Sequence, residues 1–248
     1  MVPFTTVTVG SYATETAIEE GKHVLFLQSA LGSSAVAQPA INLGTSFQTL
    51  AAAANMVTPA GNIPPSFSPY ASDDTFLVGA YVFEDVGVTA YHGAASLLTM
   101  SSNLSAAAGI LGVEAYHAGL IRTTLNYLDP TGAAGLVGYT TSISNLRNAL
   151  SQAGLLGMTA GATSYDANPD DYGIATFTTP KALGTTGTAT ATRIVDANPA
   201  NVVAFARNTT QVLNIVTGGG AVNGTTAISP AMGVFFPAGM NAGPNGFK

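Results

Sequence analysis

The 248-residue chain contains no cysteine and very few charged residues. Without cysteine, a disulfide framework, a thiolate metal site and a catalytic thiol are all excluded. Charged residues make up 8% of the chain, against about 25% in an ordinary soluble domain. The net charge is −6, and the 7 Lys and Arg residues are spread along the chain. Because nucleic-acid binding needs a basic patch, nucleic acid is not expected as a partner.

The chain also lacks the sequence features of a membrane protein. It has no run of 18 apolar residues, and no basic segment followed by an apolar stretch opens it. We therefore expect no membrane span and interpret the chain as a mature form without a signal peptide. A surface rich in Thr, Asn and Gly and free of thiols suits a secreted, periplasmic or cell-surface protein.

Helical spacing of apolar residues dominates the first half of the chain. It predicts five helices, over residues of about 12–32, 46–56, 73–98, 102–129 and 140–153.

The rest of the chain has little periodicity. A segment rich in Thr, Gly, Asp and Pro, about residues 157–198, is expected to be irregular, with short strands near 175–179 and 189–194. Pro199 at a first helical position predicts a last helix over about 199–216. The Gly- and Pro-rich tail that follows is expected to form ordered loop.

Two of the predicted helices carry the same motif, Glu-x-x-His. Glu20 and His23 form one copy, and Glu114 and His117 form the other in "GVEAYHAGL". A spacing of three residues puts both side chains on one helix face, and in each helix that face is the apolar one. The predicted third helix carries a lone carboxylate, Glu84, on its own apolar stripe.

Metal ions are the physical reason to place these side chains in a core. Three carboxylates packed closely together cannot all stay ionised without cations. Bundles that hold two iron or manganese ions use a Glu from each of two helices and a Glu-x-x-His from each of two others. One Glu-x-x-His is weak support, because the motif is common on exposed helices. Two copies and a lone inward Glu, with two of only 3 histidines in the chain, favour a metal site. His92 lies two turns from Glu84 and is not expected to be a ligand.

Several blocks of the sequence resemble a known family. They are "EEGKHVLFLQSALG", "FEDVGVTAYHGAASLL", "AAGILGVEAYHAGLIRTTL", "DDYGI", "ANVVAFARNTTQVLNIV" and "GVFFPAGMN". Their order resembles that of ferritin-like proteins related to the desiccation-related proteins of plants and bacteria. The resemblance implies an all-α, ferritin-like helical bundle in residues 1–135. It also implies a long, largely irregular C-terminal extension, residues 136–248, packed on the bundle and containing one or two further helices.

The resemblance also implies a set of metal ligands for iron or manganese. By matching motifs, the candidates are Glu20, His23, Glu84, Glu114 and His117. Members of the family often are exported, which agrees with the composition, and their biochemical function is poorly defined.

One departure from the family concerns the start of the bundle. In such proteins a further long helix with the first Glu precedes the first Glu-x-x-His, and only "MVPFTTVTVGSYATET" precedes it here. Glu15 cannot replace that Glu, because it lies five residues before Glu20 and points away. A shortened chain, a helix from a neighbouring chain and a five-ligand site all remain open. Because three apolar helix faces would otherwise meet water, we expect another segment or a neighbouring subunit to cover the groove.

Two functions of different classes follow from these patterns. The first is a dimetal carboxylate protein that binds iron or manganese and reacts with oxygen or peroxide. The alternative is a non-enzymatic extracellular protein, structural or protective, that self-assembles and carries a vestigial metal site. Low charge favours the second, and the intact ligand pattern favours the first. We expect a ferritin-like metal-binding protein, and the sequence leaves open whether it is an enzyme.

Overall fold

Helices account for most of the chain, as the sequence predicts. The computed structural model describes residues 1–58, 60, 66–153, 169–181, 186–218 and 235–236. Within these ranges the α-helices are α1 Val7–Leu31, α2 Thr45–Ala53, α3 Asp73–Ala94, α4 Ser101–Leu128, α5 Leu136–Ala153 and α6 Thr209–Val216. Short 3₁₀ turns, Gly32–Ser34 and Ala95–Leu97, follow α1 and α3. Strands β1 Thr176–Pro180 and β2 Thr188–Thr192 form one antiparallel hairpin, close to the predicted positions.

Helix α3 begins where its sequence supplies a cap. The side chain of Ser72 accepts a hydrogen bond from the Thr75 amide, and Thr75 Oγ1 accepts one from the Ser72 amide at 3.0 Å. Asp73, in the first turn, also binds the segment before α1. Its carboxylate accepts hydrogen bonds from the backbone amides of Thr5 at 3.1 Å and Thr6 at 2.8 Å. This contact attaches the chain start to α3 and lets α1 begin at Val7, earlier than predicted.

Helices α3, α4 and α5 enclose the main hydrophobic core. Its most deeply buried side chains from these helices are Leu77, Val78, Tyr81, Leu125 and Ile143. Helix α2 adds to the same core, and its Phe47 packs edge-on against Phe83. These contacts set α3 at the centre of the bundle, with neighbours on several sides.

By length and composition, α4 could cross a membrane. An 18-residue window within Ser101–Leu128 has a mean hydropathy of 1.3. The helix nevertheless packs along α3 and buries Glu114, His117 and Arg122 there. A core helix passes the same test, and 28% of that window is buried. The absence of a membrane span stays a prediction.

The predicted last helix was wrong at its start. Pro199 lies in a turn, in which the Asn198 carbonyl accepts a hydrogen bond from the Val202 amide at 2.8 Å. Val202 has a positive φ of 57°, which ends any helical path there. The helix begins instead after Asn208, whose side chain accepts from the Gln211 amide at 3.0 Å. Asn is one of the strongest capping residues, and here it outcompetes the weaker signal of Pro199. Most of the tail lies outside the described residues.

Buried arginines attach the extension to the bundle. Arg147 of α5 donates to Asp85 at 2.9 Å and to Asp171 at 2.9 Å. Arg207, ahead of α6, contacts Asp171 at 3.1 Å, and its amide donates to the Thr89 carbonyl at 3.0 Å. Buried ion pairs need such mutual compensation, since removing one partner leaves an uncompensated charge. The extension is therefore fixed to α3 through charge as well as apolar contact.

Large apolar side chains of α1 form an exposed face. Ile18 and Leu25, seven residues apart on one side of the helix, are 52% and 66% exposed. Within the described ranges, no segment of the chain covers this face. Cover of the groove between the three helices, by another segment or by a neighbouring chain, stays a prediction.

We expect the chain to self-associate through this face. The substitution Leu25→Glu should shift the mass measured by light scattering towards the monomer, because it places a charge in the apolar contact. Leu97→Glu is the matched control, since Leu97 is 65% exposed and Leu25 66%. A wild-type chain that is monomeric at micromolar concentration would contradict this expectation.

Candidate metal centre

Three helices bring the five predicted ligands into one cluster. Glu20 and His23 come from α1, Glu84 from α3, and Glu114 and His117 from α4. Each helix presents its residues on the inward face, as the three-residue spacing requires. The side chains of His23, Glu84, Glu114 and His117 are at most 15% exposed. Whether they bind metal stays a prediction, but the expected proximity is present.

The cluster divides into two overlapping triads. In the first, Nδ1 of His117 lies 3.2 Å from Oε1 of Glu20 and 3.4 Å from Oε2 of Glu84. In the second, Nδ1 of His23 lies 3.4 Å from Oε1 of Glu20 and 3.6 Å from Oε1 of Glu114. The ligand atoms of each triad are all within 4.8 Å of one another. Glu20 belongs to both triads, so its carboxylate would contact both ions if each triad held one.

Unpaired polar atoms converge on this cluster. Oε1 of Glu20, Nδ1 of His23 and Nδ1 of His117 are buried and have no hydrogen-bond partner. Buried polar side-chain atoms are nearly always hydrogen-bonded, so three exceptions pointing at each other need an explanation. A cation between them would satisfy all three at once. The residues present therefore fit a metal centre.

A glycine makes room for one of the carboxylates. A methyl group built on Gly87 of α3 would lie 2.1 Å from Oε2 of Glu114, far closer than atoms can approach. The sequence contains Gly87 but gives no sign that it makes room for Glu114.

Tyr91 lies further along α3, and burial raises its pKa to about 12, with Glu114 and Glu20 adding to the rise. Its hydroxyl is therefore protonated at neutral pH.

Glu19 is a site residue that sequence reasoning missed. Its Oε2 atom lies 2.7 Å from Nε2 of His117, the ring nitrogen that faces away from the triads. A carboxylate on the outer nitrogen of a metal-binding histidine fixes the ring orientation and the tautomer, which leaves Nδ1 free for the ion. The signal was present as the pair of adjacent acids at 19 and 20, but helical spacing selected only Glu20.

His92 lies apart from the centre, as expected. Its Nδ1 atom is 3.1 Å from the carbonyl oxygen of Phe205 in the extension.

Protons occupy the centre when no ion is bound. Burial raises the pKa of the Glu114 carboxyl to about 8, and the Glu20 and Glu84 carboxylates add to the rise. The Glu84 carboxylate raises the pKa of the His117 imidazole to about 9, against the opposing effect of burial, and Glu19 contributes. Both groups are therefore protonated near neutral pH, and ion binding must displace those protons.

A second acidic cluster does not resemble a metal site. Among the described residues, Asp85, Asp171 and Asp196 also lie close enough to share an ion. Arg122 and Arg147 already donate to Asp85 at 2.9 Å each, so cations of the protein occupy this space. Burial raises the pKa of Asp196 well above its ordinary value, and Asp171 and Asp85 contribute to the rise.

The helical bundle and its two Glu-x-x-His motifs define a ferritin-like architecture. The family model of the ferritin-like domain matches residues 3–127, which contain α1 to α4 and all five candidate ligands. The chain belongs to this family.

A desiccation-related protein of Craterostigma plantagineum is 33% identical over 145 residues. The match covers 56% of this chain and 44% of that protein, so the chain spans less than half of its length. No solved structure matches the chain significantly. The family and the relationship to desiccation-related proteins, both predicted from the sequence, are confirmed.

The role of Gly87 can be tested by adding one methyl group. Gly87→Ala should displace the Glu114 carboxylate and weaken the affinity of the His23 triad for an ion at least about tenfold. The measurement is titration of the metal-free protein with Mn²⁺. Gly112→Ala in α4 is the matched control, because a methyl group there meets nothing within 4 Å. Equal affinity in the two variants would contradict the assigned role.

The pKa shifts predict how the metal-free protein responds to pH. Folding raises the pKa of Glu114 from 4.5 to about 8 and that of His117 from 6.5 to about 9. Since both groups bind protons more tightly when folded, their contribution to stability is lost as pH rises through these values. With a chelator present, the melting temperature should fall between pH 6.5 and 9.5. Glu114→Gln should reduce the fall, and a wild-type profile that is flat or rises would refute the assignment.

Proposed function

We propose that this protein holds two iron or manganese ions in the centre between α1, α3 and α4. The observation that carries the proposal is that Oε1 of Glu20 lies near the Nδ1 atoms of both imidazoles, one in each triad, and that neither Nδ1 atom has a hydrogen-bond partner. Carboxylate and imidazole ligands without sulfur suit iron and manganese.

The charges of the centre leave capacity for a further ligand. Glu20, Glu84 and Glu114 supply three negative charges when ionised, against four positive charges on two divalent ions. A net positive centre attracts water or a small anion, including an oxygen species. Bound iron or manganese would supply the redox chemistry with oxygen or peroxide.

Protein side chains orient this chemistry and control access to it. Glu19 holds the ring of His117 from outside, and Gly87 admits the Glu114 carboxylate. Access is uneven, because the side chain of Glu20 is 43% exposed, whereas those of Glu84 and Glu114 are 10% and 9% exposed. Small solutes therefore reach the centre from the α1 side, and α3 and α4 close the opposite side.

Export and a role in stress are part of the same proposal. The relative in Craterostigma plantagineum bears the name of a desiccation-related protein. The absence of cysteine and the low fraction of charged residues, 8%, agree with a protein that works outside the cytoplasm.

A structural or protective function is the second candidate. The exposed apolar face of α1 favours assembly with other chains, which a purely catalytic monomer would not need. In that function the centre would be vestigial and would not fill with metal. Metal content therefore separates the two candidates.

The test compares metal stoichiometry across single substitutions. After reconstitution with iron or manganese, the wild type should hold about two ions per chain. Glu84→Ala and Glu114→Ala should each retain about one, since each removes a ligand from a single triad. Glu20→Ala should retain almost none, because Glu20 serves both triads.

Glu15→Ala is the matched control on the same helix. Glu15 is exposed and lies outside both triads, so its removal should leave the metal content unchanged. Circular dichroism establishes that each variant is folded. Equal metal content in wild type, Glu20→Ala and Glu15→Ala would reject the dimetal function and leave the structural one standing.

A further inference from the structure

A second site lies behind the metal centre, in an apolar cavity between α2, α3, α5 and α6. The cavity has a volume of about 290 Å³ and is lined by residues such as Leu50, Val86, Leu146, Leu150 and Ile215. Protein interiors contain few voids larger than a water molecule, so a space of this size is unusual as a packing defect. Ligand sites in proteins are concave and mostly apolar, with volumes that begin near this value.

Among the described residues that line the cavity, the polar side chains are those of Thr49 and Arg147, and both contact other groups of the protein. The hydroxyl of Thr49 donates to the Thr45 carbonyl at 3.3 Å. The guanidinium of Arg147 is bound by the Tyr81 carbonyl at 2.8 Å and by Asp85 and Asp171 at 2.9 Å each. A charged or strongly polar molecule would therefore lose its hydration without gaining a partner. The chemistry of the walls selects a hydrocarbon.

The inner end of the cavity reaches the metal centre. Gly87 lines the cavity, and the same glycine adjoins the Glu114 carboxylate, which fills the space that a side chain would take. Phe83 also lines the cavity, and its side chain is 40% exposed despite its size. Phe83 and Gly87 are one helical turn apart, so a molecule beside Phe83 also lies close to the back of the centre.

We propose that this cavity binds an alkyl chain of about ten carbon-sized groups, judged from roughly 30 Å³ for each small group. Any polar head stays on the exposed side at Phe83, and the alkyl chain passes against Gly87. The proposal has two halves. The binding half, in which the cavity takes up the alkyl chain, does not depend on metal. The second half, an inner contact of the alkyl chain with Gly87 beside Glu114, rests on the proposed dimetal function.

Displacement of a fluorescent probe tests the binding half. The chain has no tryptophan, so fluorescence of bound 1-aminoanthracene can be followed without tryptophan background while decan-1-ol is added. The metal-free wild type should bind decan-1-ol. Ala90→Leu on α3 and Ala53→Leu on α2 fill the cavity from two sides, and each should weaken binding at least about tenfold.

Ala108→Leu is the matched control, because Ala108 of α4 is exposed and does not line the cavity. It should bind decan-1-ol as the wild type does. Two cavity variants keep the test decisive if one of them fails to fold. Failure of the wild type to bind decan-1-ol, as expected if the chain's own residues fill the space, would overturn the proposal. So would undiminished binding in the folded cavity variants.

The visible spectrum of Co²⁺ in the centre tests the inner contact. Addition of decan-1-ol should change the spectrum of the wild type and leave that of Ala90→Leu unchanged. If the wild-type spectrum stays unchanged although decan-1-ol is bound, only the proposed contact between the alkyl chain and the centre is overturned. Binding of decan-1-ol to a protein that takes up no metal would reject the dimetal function and leave the binding half intact.

Discussion

The burial of charge on α3 is the constraint on which the rest of the structure depends. Glu84 faces the Glu-x-x-His residues of α1 and α4, and its neighbour Asp85 faces Arg122 and Arg147. Neither carboxylate can be buried without compensation. Arginines of α4 and α5 compensate the charge of Asp85 and thereby fix the extension in place. Among the described residues, Glu84 has imidazoles and other carboxylates nearby, and in our account metal cations compensate its charge.

The sequence predicted the parts of the fold that local rules determine. The sequence predicted α4 to within one residue at each end and the start of α3, although α3 ends at Ala94, four residues earlier than predicted. The spacing of Glu20 and His23 placed both side chains on the inward face of α1. The start of α6 was missed because two capping signals competed, and Asn208 provides the stronger one. Glu19 and Gly87 were missed because their roles depend on distances between helices, which periodicity within one helix does not contain.

The extension contributes more than a cover for the bundle. Arg207 brings its backbone against α3, where the Arg207 carbonyl lies so close to Gly93 that a methyl group there would be 1.9 Å from it. Helix α6, which follows, lines the apolar cavity that Gly87 also lines. The candidate metal centre and the cavity thus lie on two sides of α3, and Gly87 adjoins both. This arrangement relates the proposed metal centre of the bundle to an extension that forms part of the cavity wall.

The central claim is that one carboxylate, Glu20, bridges two ions. Anomalous diffraction from crystals of the manganese-loaded protein tests it most directly. The account predicts two peaks about 3.5–4 Å apart, as in other two-metal sites. One ion should lie beside His23 and the other beside His117, with Glu20 contacting both. A single peak, or peaks that Glu20 does not touch, would contradict the claim.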